Sequence, residues 1–349
     1  NADALVKDAN ELSEALKNGG LIALSNTING NITIEDVADD TILNFAGNTI
    51  NGTVTVAEGE KIVINGQGGV AATGTASALK VNKGADITLS GGTFTSENAA
   101  ITVANRTETP AAITIEEGTV ITAPTIINLE QTSNYAGAEI VINGGEFNST
   151  YTKSDARPIK VHGGDVTING GTFTIDNPTG RNCYFIDVSS TYNTANDGTN
   201  KYIAGNVEIN GGTFKSNVPY TRAVFASMSK GHIPGTVVIN GGYYEFTAEN
   251  SYLVDVPANV IVNDCTYVGV KTANVFNISS TNPADLTITV NGGNYTVRTS
   301  PAGCFNYSYA DRVILKGGTI NSNKKLSDSL AAGYHVVDNG NGTFSIVAD

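Results

Sequence analysis

Cysteine is scarce in this chain, and a membrane-length apolar run is missing from it. The 349 residues include three cysteines, Cys183, Cys265 and Cys304, which form no Cys-x-x-Cys pair. Their odd number excludes a disulfide framework, so we expect small apolar core residues with no redox or metal role. No segment approaches the ~20 apolar residues that cross a bilayer. No signal peptide is present either, and we expect Asn1 to follow a removed leader.

Basic charge is also in short supply. The chain has 20 basic residues against 33 acidic ones, a formal net charge of −13. Because nucleic acids and anionic membranes attract basic proteins, this balance makes both poor partners. Helix formers are few beyond the first residues, whereas Thr, Val, Ile, Asn and Gly dominate. This composition indicates strands joined by tight turns, in a secreted or cell-surface protein.

One repeated phrase dominates the rest of the chain. A β-branched strand is followed by Asn, a Gly-Gly pair, Thr and an aromatic residue, as in Val166–Phe173. The first position of the pair, with degenerate copies included, falls at residues 66, 91, 117, 144, 170, 211, 241, 264, 292 and 317. Eight of the nine steps span 23 to 30 residues and one spans 41. A repeat of this period predicts a solenoid: an all-β, single-stranded, right-handed parallel β-helix of three sheets and about eleven or twelve coils.

Each coil is predicted to align equivalent side chains along the stack. Asn-Gly-Gly turns a corner, because glycine accepts positive φ, and the asparagines should form a hydrogen-bonded column. The aromatic residue of the second strand should stack in the interior. In the third strand, alternation places one residue per coil on the outer face. That row reads Lys80, Thr102, Asn128, Lys160, Asp187, Ala226, Asp255, Asn277 and Asn306.

Both ends of the predicted solenoid need covers. Asp3–Lys17 has apolar residues at helical spacing and is followed by Asn18-Gly19-Gly20, which predicts a capping helix. Gly333–Val347 predicts a hairpin around Asn339–Gly342. We expect one domain, with an N-terminal cap over 1–20, coils over 21–325 and a C-terminal cap over 326–349.

Over Leu21–Asn323 these features resemble the right-handed parallel β-helix of the pectin-lyase-like superfamily. The repeat style is also similar to uncharacterised surface β-helix proteins of gut bacteria. In the superfamily, ligands lie on the outside of one sheet. By position relative to the Asn turn, the resemblance implies that this sheet corresponds here to the strands with Asp187 and Asp255. The resemblance implies fold, and leaves activity open, since lyases, hydrolases, tailspikes and adhesins share it.

Two observations from the residues favour the same face as a ligand site. The 41-residue step adds about 15 residues over Ser189–Asn206, and loops that interrupt a repeat commonly carry function. Arg181, Arg222 and Tyr252 each follow the second Gly of their coil by ten residues, so they should be neighbours. Arginine and tyrosine suit a carbohydrate or uronate. The candidate ligand-binding residues are Arg157, Lys160, Arg181, Tyr192, Tyr202, Arg222 and Tyr252.

A purely structural interpretation of this face remains open. The loop could cover Phe185, Val224, Leu253 and Val275 as outward apolar residues, and the arginines could simply pair with Asp155, Asp187 and Asp255. Asp187 and Asp255 are the only candidate catalytic pair, two coils or ~10 Å apart. That separation exceeds a retaining carboxylate pair and is marginal for an inverting one.

Recognised catalytic motifs are missing. Arg157-Pro158-Ile159-Lys160 weakly resembles one polygalacturonase-like motif, and the other motifs of those enzymes are absent. The acidic cluster that holds calcium in pectate-lyase-like enzymes is absent as well. His162, His232 and His335 lie in different coils without metal-ligand spacing, and we expect surface-turn residues without a special role. The sequence therefore predicts no metal, no cofactor and a non-catalytic glycan-binding or adhesin-like module. A polysaccharide lyase or glycoside hydrolase acting on an acidic polysaccharide is the alternative, and a structural spacer is the third.

Overall fold

The chain folds into a parallel β-solenoid with three sheets. A computed structural model describes residues 2–103, 109–129, 138–194, 200–227, 232–255, 258–271, 275–277, 286–297, 310–322 and 326–349, with the backbone alone for 191–194, 200–203, 270 and 271. Sheets A, B and C contain 13, 14 and 10 strands, and successive strands of the chain enter the three sheets in turn, one from each coil. The predicted all-β solenoid is confirmed.

Sheet A holds the strand that precedes each corner, and its strands pair in parallel from the first to the last. Its strands are Ala4–Val6, Leu21–Leu24, Ile42–Asn44, Lys61–Asn65, Asp86–Ser90, Ala111–Ile115, Ala138–Ile142, Asp165–Ile168, Val207–Ile209, Thr236–Ile239, Asn259–Val262, Ile288–Val290 and Val313–Leu315.

Sheet B follows the corner and is parallel up to its last two strands, which form an antiparallel hairpin. Its strands are Ile28–Asn29, Thr49–Asn51, Gly69–Ala71, Gly92–Thr95, Thr119–Ala123, Glu146–Ser149, Thr172–Ile175, Thr213–Ser216, Tyr243–Glu249, Thr266–Lys271, Asn294–Val297, Thr319–Ile320, Tyr334–Asp338 and Phe344–Ala348.

Sheet C closes each coil and is parallel throughout the described chain. Its strands are Ile32–Ile34, Val54–Val56, Leu79–Val81, Ala99–Val103, Thr125–Leu129, Ile159–Lys160, Cys183–Asp187, Thr221–Phe225, Tyr252–Asp255 and Phe276–Asn277. Thr191–Thr194 and Asn200–Ile203 form a separate antiparallel hairpin, and short 3-10 turns span Ala310–Arg312 and Leu326–Ser329.

The predicted columns form at the corners. Six asparagines, Asn143, Asn169, Asn210, Asn240, Asn263 and Asn291, are joined by amide-to-amide hydrogen bonds of 2.7–2.8 Å, each donating to the preceding coil. Asn143 ends the chain of bonds by donating to Glu116 Oε1 at 2.8 Å. The first glycine of each pair is required by space: a Cβ on Gly170 would lie 2.6 Å from the carbonyl oxygen of Asn143. The second position of each pair needs glycine because its backbone adopts a positive φ, which is +99° at Gly171.

The aromatic column is interior, as predicted. Phe147, Phe173, Phe214 and Tyr244 are buried, and their rings stack with centroids 4.5, 4.7 and 4.9 Å apart. Because offset-stacked rings contribute beyond their buried area, this column helps to fix the coil register. One cluster of buried apolar side chains extends from Val6 to Ile346. Cys183 and Cys265 are buried and unpaired, as predicted, whereas Cys304 lies outside the described residues.

The caps differ from prediction at one end. The helix spans Ala9–Asn18 and not Asp3–Lys17, because Ala4–Val6 instead pairs with Leu21–Leu24 as a strand. Asp8 is the N-cap, and its carboxylate accepts from the amides of Asn10 and Glu11, at 3.0 Å each. The helix ends where predicted, with Gly19 at φ 73°. The C-terminal hairpin is confirmed. Nowhere in the described chain is a helix both long and apolar enough to cross a membrane.

Candidate binding face on the outside of sheet C

The strands of sheet C break the usual alternation, and this break creates the candidate site. Phe185 and Ile186 are consecutive and both buried, as are Ala223 and Val224 on the next coil. Two adjacent inward residues leave one outward residue before them and one after them. Each strand therefore contributes one residue to each of two outward rows that run across the coils. Leu253 and Val254 repeat the arrangement one coil further on.

This geometry corrects the interpretation of four apolar residues as outward side chains under a loop. Phe185, Val224, Leu253 and Val275 are all at most 1% exposed. The ring of Phe185 lies 5.7 Å from that of Phe214 and 6.0 Å from that of Phe246, both of sheet B. These contacts place Phe185 inside the solenoid. The outer face is left to polar and aromatic residues.

The first outward row alternates arginine and tyrosine over four consecutive coils. A bridge between Ala156 and Cys183 brings Arg157 beside Tyr184, and the strand pairings continue to Arg222 and Tyr252. The Arg157 guanidinium lies 5.4 Å from the Tyr184 ring, and that of Arg222 lies 5.3 Å from the rings of both Tyr184 and Tyr252. At these distances the cations are attracted to the ring faces, which orders the column.

The second outward row matches the prediction apart from one position. Lys160, Asp187, Phe225, Asp255 and Asn277 are aligned by the strand pairing. Ala226 was predicted in place of Phe225, and that prediction was wrong: Ala226 is buried. Because the loop between sheets B and C varies in length, counting from the glycine pair does not fix the register here. Asn306 lies outside the described residues.

Asp187 belongs to a buried charged cluster. Its side chain is fully buried and contacts Arg157, whose side chain remains 34% exposed. His162 Nε2 lies 3.0 Å from Oδ2, and the Ser189 hydroxyl and amide donate to Oδ1 at 2.5 and 3.0 Å. Burial by itself would raise the pKa of Asp187. The hydrogen bond and charge of His162, with Ser189 and Arg157, outweigh burial and hold that pKa below its ordinary value.

Asp255 is held in a similar way, by a different set of groups. Arg222 Nε donates to Asp255 Oδ2 at 3.0 Å, and Asn277 Nδ2 donates to Oδ1 at 2.9 Å. The side chains of Arg222 and Asp255 are 12% and 14% exposed. Two of the three arginines at this face are therefore matched by aspartates, as the structural interpretation predicted.

A column of left-handed residues borders the face. Asp155, Asn182, Tyr220 and Asn250 have φ values of 67°, 62°, 61° and 55°, and backbone hydrogen bonds align them on consecutive coils. Asp and Asn tolerate this conformation, whereas tyrosine rarely adopts it. Such a residue costs on the order of 1–3 kcal/mol, and residues of this kind cluster at functional sites. Arg222 Nη1 donates to the Tyr220 carbonyl at 2.5 Å and braces it.

Arg181 is the cation that differs from the other two. Its side chain is exposed, and its guanidinium lies 4.4 Å from the Tyr220 ring. The described residues place no carboxylate within 4.0 Å of Arg181, unlike Arg157 and Arg222. Arg222 lies 6.0 Å from the same ring. The structure thus brings Arg181, Arg222 and Tyr252 together, with Tyr220 between the two arginines.

The remaining candidates lie around this cluster. Lys160 neighbours Asp187 in register, on the preceding coil. Tyr192 and Tyr202 pair across the hairpin that follows Ser190, and only their backbone is described. Sequence reasoning missed Tyr184, although the repeat could have aligned it with Arg222. It also treated His162 as a surface residue, whereas it is 7% exposed and contacts Asp187.

Comparisons of the chain with protein-family models, with curated proteins and with solved structures find no match. Within the described residues there is also no group of three or more His, Cys, Asp or Glu side chains placed to hold a metal ion. The site therefore has to be interpreted from its own geometry.

Proposed function

We propose that this chain is an exported, cell-surface β-helix protein that binds a glycan on the outer face of sheet C without catalysing a reaction. The design of its coils further suggests kinship with the pectin-lyase-like superfamily and with bacterial surface proteins. The face is built over four coils from Arg157, Tyr184, Arg222 and Tyr252, so it offers a repeating surface along the solenoid axis. An extended polymer fits such a surface.

The strained Tyr220 is the observation that carries the proposal. A residue with less steric conflict, such as the Asn of the neighbouring coils, would satisfy the same backbone. Tyr220 instead places an aromatic ring between two arginines at a stability cost. A surface selected only for solubility would not need that ring, whereas a surface that contacts a sugar would use it.

The hydroxyl groups of the face suit a polar ligand. Burial raises the pKa of the Tyr184 and Tyr252 hydroxyls above the ordinary value, although Arg222 opposes the effect at both. Both phenols are therefore neutral at physiological pH, and each can donate one hydrogen bond. Together with the guanidinium edges and the Asn182 amide they form a surface of hydrogen-bonding groups, the chemistry that sugar hydroxyls need.

The alternative, a lyase or hydrolase, is not favoured by the two carboxylates. Asp187 and Asp255 are separated by one intervening coil, which corresponds to about 10 Å. A retaining pair needs roughly 5–5.5 Å and an inverting pair roughly 6.5–9.5 Å. Asp187 is also fully buried with a lowered pKa, so it can neither reach a ligand nor hold a proton as a general acid.

A glycan array tests the proposal. We expect the purified chain to bind a subset of oligosaccharides, and the double variant Arg181→Ala/Tyr252→Phe to lose at least about tenfold in affinity, since charged and neutral hydrogen bonds contribute on the order of 1 kcal/mol each. The matched control is Lys215→Ala, an exposed cation on the outside of sheet B. Absence of binding by the parent, or equal loss in the control, would contradict the proposal.

A further inference from the structure

The charges on the face of sheet C restrict how many anionic groups a bound glycan can carry. Arg157 and Arg222 are paired with Asp187 and Asp255. The third aspartate, Asp155, accepts a hydrogen bond from Asn182 at 2.9 Å and lies on the coil before Arg181. Two of the three arginines are thus neutralised by aspartates, a third aspartate lies beside them, and the chain as a whole carries −13.

A polyanion is a poor ligand for such a surface. A strand of repeated carboxylates would meet Asp155, Asp255 and the negative field of the whole chain, and like charges repel. Arg157 and Arg222 do not compensate, because a ligand carboxylate would have to displace the aspartate that each of them already contacts. A chain of uronates therefore does not suit this face.

One anionic group can still be recognised, at a single point. Arg181 is exposed, is ordered by the Tyr220 ring 4.4 Å away, and has no carboxylate within salt-bridge distance among the residues described. A guanidinium held on an aromatic ring keeps its outer N–H groups free to form a bidentate contact with a carboxylate or a sulfate ester. Beside it, Tyr252 and Tyr184 offer neutral hydroxyl groups.

From this arrangement we infer that the ligand is a largely neutral glycan with one isolated anionic group, a carboxylate or a sulfate ester, and that Arg181 binds this group. The inference rests on the proposed glycan-binding function. It makes Arg181 the specificity-determining residue, while the Tyr184 and Tyr252 hydroxyls contact neutral sugars on the neighbouring coils.

The experiment compares matched oligosaccharides by calorimetry or surface plasmon resonance. One carries a single carboxylated sugar, the second has that carboxyl reduced to an alcohol, the third has a sulfate ester in its place, and a polyuronate and an aspartate-containing peptide complete the set. We expect the parent to prefer an isolated anion over its neutral analogue by about five- to tenfold, the scale of one well-oriented exposed ion pair. The carboxylated and sulfated arms identify the source of the charge.

Arg181→Gln should abolish this preference, so that the acidic oligosaccharide and its neutral analogue bind alike, whereas Arg181→Lys should retain part of the preference. Equal affinity for acidic and neutral forms, or tightest binding to polyuronate, would overturn the inference and leave the proposed function standing. Preference for the peptide would also overturn it. Failure of the parent to bind any sugar would count against the proposed function itself.

Discussion

At the scale of single residues, Asp187 shows how a buried charge can stabilise the fold while standing at the edge of a binding face. Its carboxylate is fully buried, and it is stabilised by Arg157, His162 and Ser189. Removing one partner of such a cluster leaves the other charges uncompensated, which usually lowers the free energy of unfolding by about 3–5 kcal/mol. The cluster also fixes the point at which the chain leaves sheet C for the following hairpin.

The pH dependence of stability should report this cluster. The folded pKa of Asp187 lies below its ordinary value of 3.8, so the unfolded chain binds more protons as the pH falls. The stabilising contribution of Asp187 is complete above that value and is lost as the pH drops through the lower, folded pKa. We therefore expect Asp187→Asn to lower the melting temperature at neutral pH, and the gap to the parent to narrow in acid.

Circular dichroism melts from neutral pH down to pH ~2 would measure that gap, since the ordinary pKa of an aspartate lies within this range. Asp39→Asn is the matched control, because Asp39 is an exposed carboxylate near the N-terminal end of the solenoid, and this variant should melt at the parent's temperature. A gap for Asp187→Asn that stays constant with pH would show that ionisation of this group does not stabilise the fold.

At the scale of elements, the corner between sheets A and B is the most regular part of the coil. The amide ladder from Asn143 to Asn291 joins six coils, and within the ladder each internal asparagine donates one bond and accepts one. The glycine pair gives the space and the positive φ that bring these asparagines together. Because five of these six coils carry the same Asn-Gly-Gly corner, the sequence repeat predicts this column.

Interrupting the ladder should destabilise the solenoid locally. Asn210→Ala removes the bond to Asn169 and the bond from Asn240. At about 0.5–1.5 kcal/mol per bond, we expect the free energy of unfolding to fall by about 1–3 kcal/mol. Asn148→Ala is the control, since Asn148 lies on the outside of sheet B and no hydrogen bond of its side chain is seen in the described part of the chain.

Hydrogen exchange of the backbone amides near residues 207–216 would measure the effect, because local opening is read at the amides concerned. Faster exchange in Asn210→Ala than in Asn148→Ala is expected. Equal exchange in the two variants would mean that the ladder follows from coil packing and does not contribute to it.

Sheet C is the element that sequence reasoning predicted least well. Its strands were identified and most of the second outward row was correct: Lys160, Asp187, Asp255 and Asn277 share one column of the strand register. The double inward step at Phe185 and Ile186 could not be read from alternation, so Tyr184 was missed and Phe185 was placed outside. The loops before these strands vary in length, so the number of residues from the glycine pair to the outward position is not constant. Phe225 therefore occupies the outward position that was predicted for Ala226.

At the scale of the whole molecule, the fold and the site depend on different kinds of information. The repeat predicts three sheets and a continuous core, and the core extends from Val6 to Ile346. The partners of each arginine depend on diagonal contacts between rows of neighbouring coils, as with Arg157 and Asp187 or Arg222 and Asp255. The period of a repeat does not show which side chains of neighbouring coils are long enough to contact each other. Burial of Asp187 was therefore outside what the sequence could predict.

The central claim is that sheet C keeps a strained aromatic residue for binding and not for stability, and Tyr220→Asn tests it most directly. Asn suits the left-handed backbone of that position, as Asn182 and Asn250 already do on adjacent coils. We predict that this variant melts at the parent's temperature or above it, by up to the equivalent of about 1 kcal/mol, and loses at least about tenfold in affinity for the glycans that the parent binds. A variant that melts lower and binds as the parent does would contradict the account, since Tyr220 would then serve the fold alone.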